Sequence, residues 1–414
     1  MFSGLKRVVV TGLGVLSPVG SSVESFWNAL LTGQSGIGAI TRFDASEFST
    51  QIAGEVKNFD PSQHFNSKEV KKMDRMTQFA VVASRQAITD SGLRLDTEDL
   101  TRIGVIYGSG IGGIETIEDQ HQTLISKGPG KISPFFIPMQ IIDMTAGLIS
   151  IEFGAKGPNF SIVSACATGN HCIGESARII ATGDADVVIT GATEAAVSPL
   201  SIGGFCAVKA LSRNNTNPTT ASRPFDLTRD GFVLSEGAGS LILEEWEHAK
   251  KRGARIYGEI IGYGLSGDAY HITQPAPGGE GGVRAIKMSL QKAHLNPEQI
   301  QYFNAHGTST KYNDEYETTA IKIVFGSYAY KMPVSSTKSV TGHLLAAAGA
   351  VEMIVCLKAM EQGIIPPTWN LQTPDPACDL DYVPNTPRKA SLDICMSNSL
   401  GFGGHNAALI VKKV

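Results

Sequence analysis

The sequence predicts an α/β protein built from two related halves, and three observations predict it. Short apolar runs rich in Val and Ile alternate with helical patterns along the whole chain. The 45 glycines punctuate those runs instead of gathering in low-complexity tracts, so the connections are many and tight. The second half also echoes the first. A chain of 414 residues is too long for one minimal domain and gives each half enough length to bury a core.

Taken in order, strands are expected at residues 7–11, 103–108, 160–164, 186–190, 239–243, 302–305 and 332–335, with a last pair at 394–397 and 407–411. Helices are expected at 22–31, 77–90, 167–181, 282–293, 314–325 and 343–361. The opening MFSGLKRVVVTGLGVLSPVG is broken early by Gly and Pro, which reads as a first strand and turn, not a secretion signal. Its segment RVVVTGLGVLSPVG finds a faint echo in RIYGEIIGYGLSGD, from Arg255. PNFSIVSACATGNHCIGESARII pairs better with MPVSSTKSVTGHLLAAAGAVEMIV, since both run strand, Ser/Thr-rich turn and small-residue helix. The halves are therefore expected at 1–253 and 254–414, divided near Gly253 without a linker.

Composition narrows the function. A net charge of −4 gives no reason to expect nucleic acid or an anionic membrane, and no apolar stretch approaches spanning length. The six cysteines lack CxxC or zinc-ligand spacing and read as reduced thiols of a cytoplasmic enzyme.

Four segments could carry chemistry. In SIVSACATGNHCIG, Cys166 lies where a strand gives way to a helix of small residues. The positive end of that helix favours thiolate, and its free N–H groups can hold an oxyanion. In NAHGTSTKYND, His306 ends an apolar strand beside a glycine and three hydroxyls, while Asp314 and Glu317 suit the acidic first turn of the next helix. In SSTKSVTGHLLAAAGAVE, His343 is expected to open a helix, where a neutral imidazole could donate to a carbonyl. Glu352 needs a partner if buried, and Lys338 is the natural one. In MSNSLGFGGHN, the glycines around Phe402 allow a loop to approach a ligand closely. Its GxGG spacing between terminal strands does not suit a dinucleotide site.

These segments, with GSGIGG at 108–113, KISPFFIP at 131–138 and SRPFDLTRDGFVLSEGAG, resemble the β-ketoacyl-acyl-carrier-protein synthases of the thiolase superfamily from end to end. The nearest likeness is to the elongating type of bacterial fatty acid synthesis. A ketosynthase of a polyketide pathway shares the same catalytic set and stands as the alternative. The resemblance implies a five-layered αβαβα fold, a homodimer, and acyl carrier protein as partner, and the chemistry it implies needs no redox cofactor or catalytic metal. It places the nucleophile at Cys166, the two active-site histidines at His306 and His343, and the conserved Lys and Glu at Lys338 and Glu352. Phe402 becomes the gate, whose N–H joins that of Cys166 in the oxyanion hole. Thr273, Thr308 and Thr310 are implied to hold the phosphopantetheine arm. Ile111, Phe205 and Leu400 are implied to border the acyl pocket, with Phe136 reaching into the partner's. Lys68, Lys71, Lys72, Lys127, Lys131, Lys209 and Arg213 are implied to dock the acidic carrier. Lys311 stands where proline often follows the HGTST motif.

Overall fold

The computed structural model describes residues 5–414, and residues 1–4 of the opening segment lie outside the described residues. Ten strands join in one sheet: β1 (Val8–Leu16), β2 (Ile103–Gly108), β3 (Asn159–Phe160), β4 (Val187–Glu194), β5 (Gly237–Glu245), β6 (Gly258–Gly267), β7 (Tyr302–Asn304), β8 (Val334–Ser335), β9 (Ile394–Gly401) and β10 (His405–Lys412). Their spatial order is β8-β7-β9-β10-β6-β1-β5-β4-β2-β3. Read outward from the middle, the first half runs β1-β5-β4-β2-β3 and the second β6-β10-β9-β7-β8. In each half the two inner pairings are antiparallel and the two outer pairings parallel. The halves therefore share one topology. They meet where β1 pairs with β6, through Val9–Glu259 and Val10–Gly258.

Six helices complete the layers: α1 (Arg75–Ser91), α2 (Asp143–Phe153), α3 (Thr168–Thr182), α4 (Glu280–Ala293), α5 (Lys311–Phe325) and α6 (Ala348–Gln362). α1 and α2 cover one outer face, α4 and α5 the other, and α3 packs on α6 between the two half-sheets. The result is the expected five-layered αβαβα arrangement. Three apolar clusters fill the spaces between layers, the largest around α3 and α6.

The faint echo between β1 and β6 has a packing cause. A Cβ on Gly14 would lie 2.0 Å from the Ala83 carbonyl oxygen of α1, and one on Gly264 would lie 1.9 Å from that of Ala285 on α4. Both outer helices press their backbones onto these strands, which only glycine permits. The stronger echo is exact in backbone. Ala165 (φ +49°) and Leu345 (φ +48°) each open a 3-10 turn, Ala165–Ala167 and Leu345–Ala347, and each turn feeds a 15-residue helix.

Some expectations shift. The helix expected from residue 343 begins at Ala348, because Gly342 (φ +68°) and Leu345 turn the chain out of helical geometry. His343 instead bridges Leu234, with its N–H on the Val233 carbonyl at 2.8 Å. The strand expected at 160–164 shortens to Asn159–Phe160, and the rest leads into the Cys166 turn. β6 was foreshadowed only by the echo, and helices Ile114–Lys127, Asp143–Phe153 and Pro199–Ala207 were not expected.

Candidate active site

Cys166 sits on the 3-10 turn that enters α3, almost wholly buried. The turn is strained at Ala165, since a left-handed φ costs a non-glycine residue roughly 1–2 kcal/mol. Two hydrogen bonds hold it. The Ser164 N–H donates to Thr168 Oγ1 at 2.9 Å, and Ser164 Oγ lies 2.6 Å from His171 Nδ1. Burial holds His171 down at about 4, so its ring is neutral and Nδ1 can accept the Ser164 hydroxyl. Neither Ser164 nor His171 stood out in the sequence.

His343 Nε2 lies 3.2 Å from Sγ, and the backbone N–H groups of Phe402 and Cys166 favour ionisation of the thiol. Even so, burial pushes the Cys166 thiol up to about 12, with the Lys338 ammonium opposing and the Glu194 carboxylate adding to the rise. The expectation of a thiolate favoured by the helix end is therefore outweighed by desolvation, and the resting group is a thiol.

Both imidazoles near the sulfur, His306 and His343, are neutral, and their tautomers can be read from their partners. The Leu345 N–H lies 3.2 Å from His343 Nδ1 and can only donate, so that nitrogen is bare and Nε2 carries the proton. The Lys338 ammonium faces His306 Nδ1 at 3.5 Å, which likewise leaves the proton on Nε2. Burial holds both rings well below the ordinary histidine range, with the Lys338 charge lowering each further. The two rings stand edge to face, 5.2 Å between centroids. One atom from each of Cys166, His306 and His343 lies within 4.8 Å of the others. The site thus presents two N–H donors and a thiol to one small space.

Charged groups behind the rings fix them. Lys338 Nζ contacts Glu352 Oε1, and both side chains are buried. Burial pushes the Glu352 carboxyl up to about 7 against the opposing ammonium. Glu317 is also buried: its two oxygens accept the N–H groups of His306 and Gly307, each at 2.7 Å. Asp314 accepts the Phe225 N–H at 2.8 Å and pairs with Arg229 at 3.5 Å. The reading of Asp314 and Glu317 as a merely acidic first turn is corrected accordingly. They brace the HGTST segment from within the core.

A cleft of about 610 Å³ opens onto this space. Cys166, His306, His343, Ile111, Phe205, Thr273, Thr308, Thr310, Leu400, Phe402 and Lys209 all line it. Rings step from Phe402 to Phe205 (6.4 Å), to Phe232 (5.4 Å) and to His343 (5.3 Å), forming an apolar wall. The glycine loop is clasped from outside. Gly403 N–H donates to the Ile272 carbonyl at 2.8 Å, Asp268 N–H to that of Gly404 at 2.9 Å, and Asn406 Nδ2 to Asp268 Oδ1 at 2.6 Å. Phe136 is half-buried and does not line this cleft. Lys68, Lys71, Lys72, Lys127, Lys131 and Arg213 are exposed away from it, and Lys72 lies over the Phe135 ring at 5.5 Å.

A Cys-His-His constellation at the junction of two thiolase-like halves defines a condensing enzyme. The chain matches the β-ketoacyl synthase N-terminal domain over residues 5–249 and the C-terminal domain over 257–372, and it belongs to the β-ketoacyl synthase family. Over 409 residues it is 55% identical to the 3-oxoacyl-(acyl-carrier-protein) synthase 2 of Coxiella burnetii, covering 99% of both chains. The like-named synthase of Synechocystis is 52% identical over 408 residues, covering 99% of this chain and 98% of that relative. Among solved structures, a type II polyketide ketosynthase in complex with its acyl-carrier protein superposes with a TM-score of 0.92 at 37% identity, covering 99% of this chain and 100% of that one. A β-ketoacyl synthase from Burkholderia phymatum does so with a TM-score of 0.91 at 35% identity and the same coverage.

Proposed function

We propose that the protein condenses an acyl-carrier-protein thioester with malonyl-carrier-protein, giving β-ketoacyl-carrier-protein and CO2 in fatty acid chain elongation. The higher identity to the two synthases of that name than to the polyketide ketosynthase favours this pathway. The observation that carries the chemistry is the convergence of Cys166 with two neutral, Nε2-protonated imidazoles.

Sγ attacks the acyl thioester carbonyl, the new S–C bond forms, and the carrier thiol leaves with the proton that the Cys166 thiol gives up. The N–H groups of Cys166 and Phe402 hold the tetrahedral oxyanion. Malonyl thioester then loses CO2, and the electron pair of the broken C–C bond becomes an enolate. Its oxygen accepts from His306 and His343. The enolate carbon attacks the acyl-Cys carbonyl, and cleavage of the S–C bond releases the sulfur as a thiolate, which takes a proton from water to restore the resting thiol. Decarboxylation drives the step, so no redox cofactor or metal is called for.

The acidic carrier docks on Lys68, Lys71, Lys72, Lys127, Lys131, Lys209 and Arg213, all exposed. A homodimer is supported by the edge strand β3, both of whose residues are exposed, and by exposed Ile137, Ile151 and Val163. Such a dimer would bring Phe136 to the partner's pocket. No described helix is long and apolar enough to cross a membrane. The six free thiols suit the cytoplasm.

The test is condensation of acyl- and malonyl-carrier thioesters followed by product and CO2. Cys166→Ala should abolish acyl loading, whereas Cys166→Gln should lose condensation yet still decarboxylate malonyl thioester. Full condensation by either variant would overturn the mechanism.

A further inference from the structure

Glu194 ends β4 wholly buried, yet it lines the same cleft as Cys166. It takes no part in the acyl transfer described above. Its two oxygens are filled by donors. Oε1 accepts the Ser109 hydroxyl at 2.8 Å and the Ile111 N–H at 3.1 Å. Oε2 accepts the Gly110 N–H at 2.9 Å and the Ala346 N–H at 3.3 Å. A backbone N–H can only donate, so these partners suit an ionised carboxylate. They oppose the burial that pushes the carboxyl up.

The donors come from two distant parts of the chain. Ser109, Gly110 and Ile111 belong to the GSGIGG segment that leaves β2, and Ile111 packs against the apolar cluster of Cys166, Phe232 and Leu345. Ala346 belongs to the Leu345–Ala347 turn of the second half, the counterpart of the Cys166 turn. One carboxylate thus ties the Ile111 side of the cleft to the opposite half. Ser109 Oγ extends the network by accepting the Gly112 N–H at 3.1 Å, so the N–H groups of residues 110, 111 and 112 all end on it. The carboxylate can sit this close only because residue 110 is glycine. A Cβ there would lie 2.8 Å from Glu194 Oε2.

We propose that Glu194 is a positioning residue that fixes Ile111 at the acyl pocket and so sets how well a long acyl chain fits. The inference rests on the acyl-transfer function above. Without the carboxylate, segment 109–111 loses its common acceptor, and the Ile111 side chain can shift within the cleft. A long chain must pack against that wall, whereas the single methyl of an acetyl group ends beside the thioester. Glu194 therefore acts on chain-length discrimination through Ile111 and not on the reacting atoms.

The experiment follows thiol release as Cys166 is acylated by acetyl- and by decanoyl-carrier protein, and reads the ratio of the two KM values. The carrier is the same in both donors, so docking cancels in the ratio. Glu194→Gln keeps the shape of the side chain but turns an amide NH2 toward two of the donors. It should raise the decanoyl KM about ten-fold, the effect of losing one hydrogen bond to a charged group, and leave the acetyl KM unchanged. Gly110→Ala displaces the carboxylate by contact and should raise the same ratio, so the outcome does not hang on the first variant folding. In an Ile111→Ala background Glu194→Gln should change the ratio no further, because the wall it positions is gone. An unchanged ratio in both Glu194→Gln and Gly110→Ala, equal rises for the two donors, or a full effect in the Ile111→Ala background overturns the positioning role alone. Failure of the unsubstituted protein to be acylated by either donor overturns the function and the positioning role together.

Discussion

Replacing Lys338 by methionine separates what the buried ion pair does for the fold from what it does for the chemistry. The ammonium is buried against Glu352 and 3.5 Å from His306 Nδ1, so its loss has two consequences. Glu352 is left as a buried carboxylate without its cation, which costs about 3–5 kcal/mol when one partner of such a pair is removed. Its carboxyl, already up at about 7 from 4.5, rises further. A folded-state value raised in this way means stability that is fully present near pH 4.5 and lost as the pH climbs through the folded value. The drop in thermal midpoint should therefore be larger at pH 8 than at pH 6. The second consequence is at His306, where Nδ1 loses the donor that keeps the proton on Nε2. Removing one oxyanion donor typically costs about 10²–10³ in rate, and decarboxylation of malonyl-carrier thioester should slow on that scale. The double variant Lys338→Met/Glu352→Leu removes the stranded carboxylate and should regain most of the thermal midpoint. Decarboxylation should stay slow. If the double variant also recovers the rate, Lys338 serves only stability and the tautomer argument fails.

Two further outcomes follow from the same geometry. Nitrogen NMR of histidine-labelled protein should find His306 and His343 neutral and Nε2-protonated from pH 8 down to pH 6, because burial and Lys338 hold both rings well below 6.5; titration near 6.5, or an Nδ1-protonated pattern, would contradict this. Gly281→Ala places a Cβ 1.8 Å from Asp268 Oδ1 and 2.4 Å from Asn406 Nδ2, breaking the clasp on the glycine loop. Condensation should fall about ten-fold, the cost of losing roughly 1.4 kcal/mol of loop positioning. Gly282→Ala meets only ordinary contacts, Leu400 Cδ2 at 3.4 Å and Ala320 Cβ at 3.8 Å, and serves as the control. Equal activity in the two variants would dismiss the clasp.

Local pattern made much of the architecture legible. Strand 103–108 is where the apolar run placed it, and the echo around Cys166 and His343 is a repeated turn and helix. Such features depend on neighbours a few residues apart, and the sequence displays those directly. The misreadings share a different cause. His343 lies beside good helix-formers, but its conformation follows from a bridge to Leu234, more than a hundred residues earlier. Glu317, read as part of an acidic first turn, is instead buried on the His306 and Gly307 N–H groups of the strand-end segment that precedes its own helix.

The same division runs through the site. From sequence alone came the residue types and their order: a cysteine after a strand, two histidines beside glycines, a Lys in a turn followed by a Glu within a helix of small residues, and the family resemblance those motifs carry. Those are properties of the covalent chain. The ionisation states came only from the fold. Position at a helix end argued for a thiolate, but burial between two half-sheets outweighs it and leaves a thiol near 12. The tautomers of both histidines depend on the Leu345 N–H and the Lys338 ammonium. Desolvation and hydrogen-bond direction arise from all the groups surrounding an atom, and only packing decides which those are.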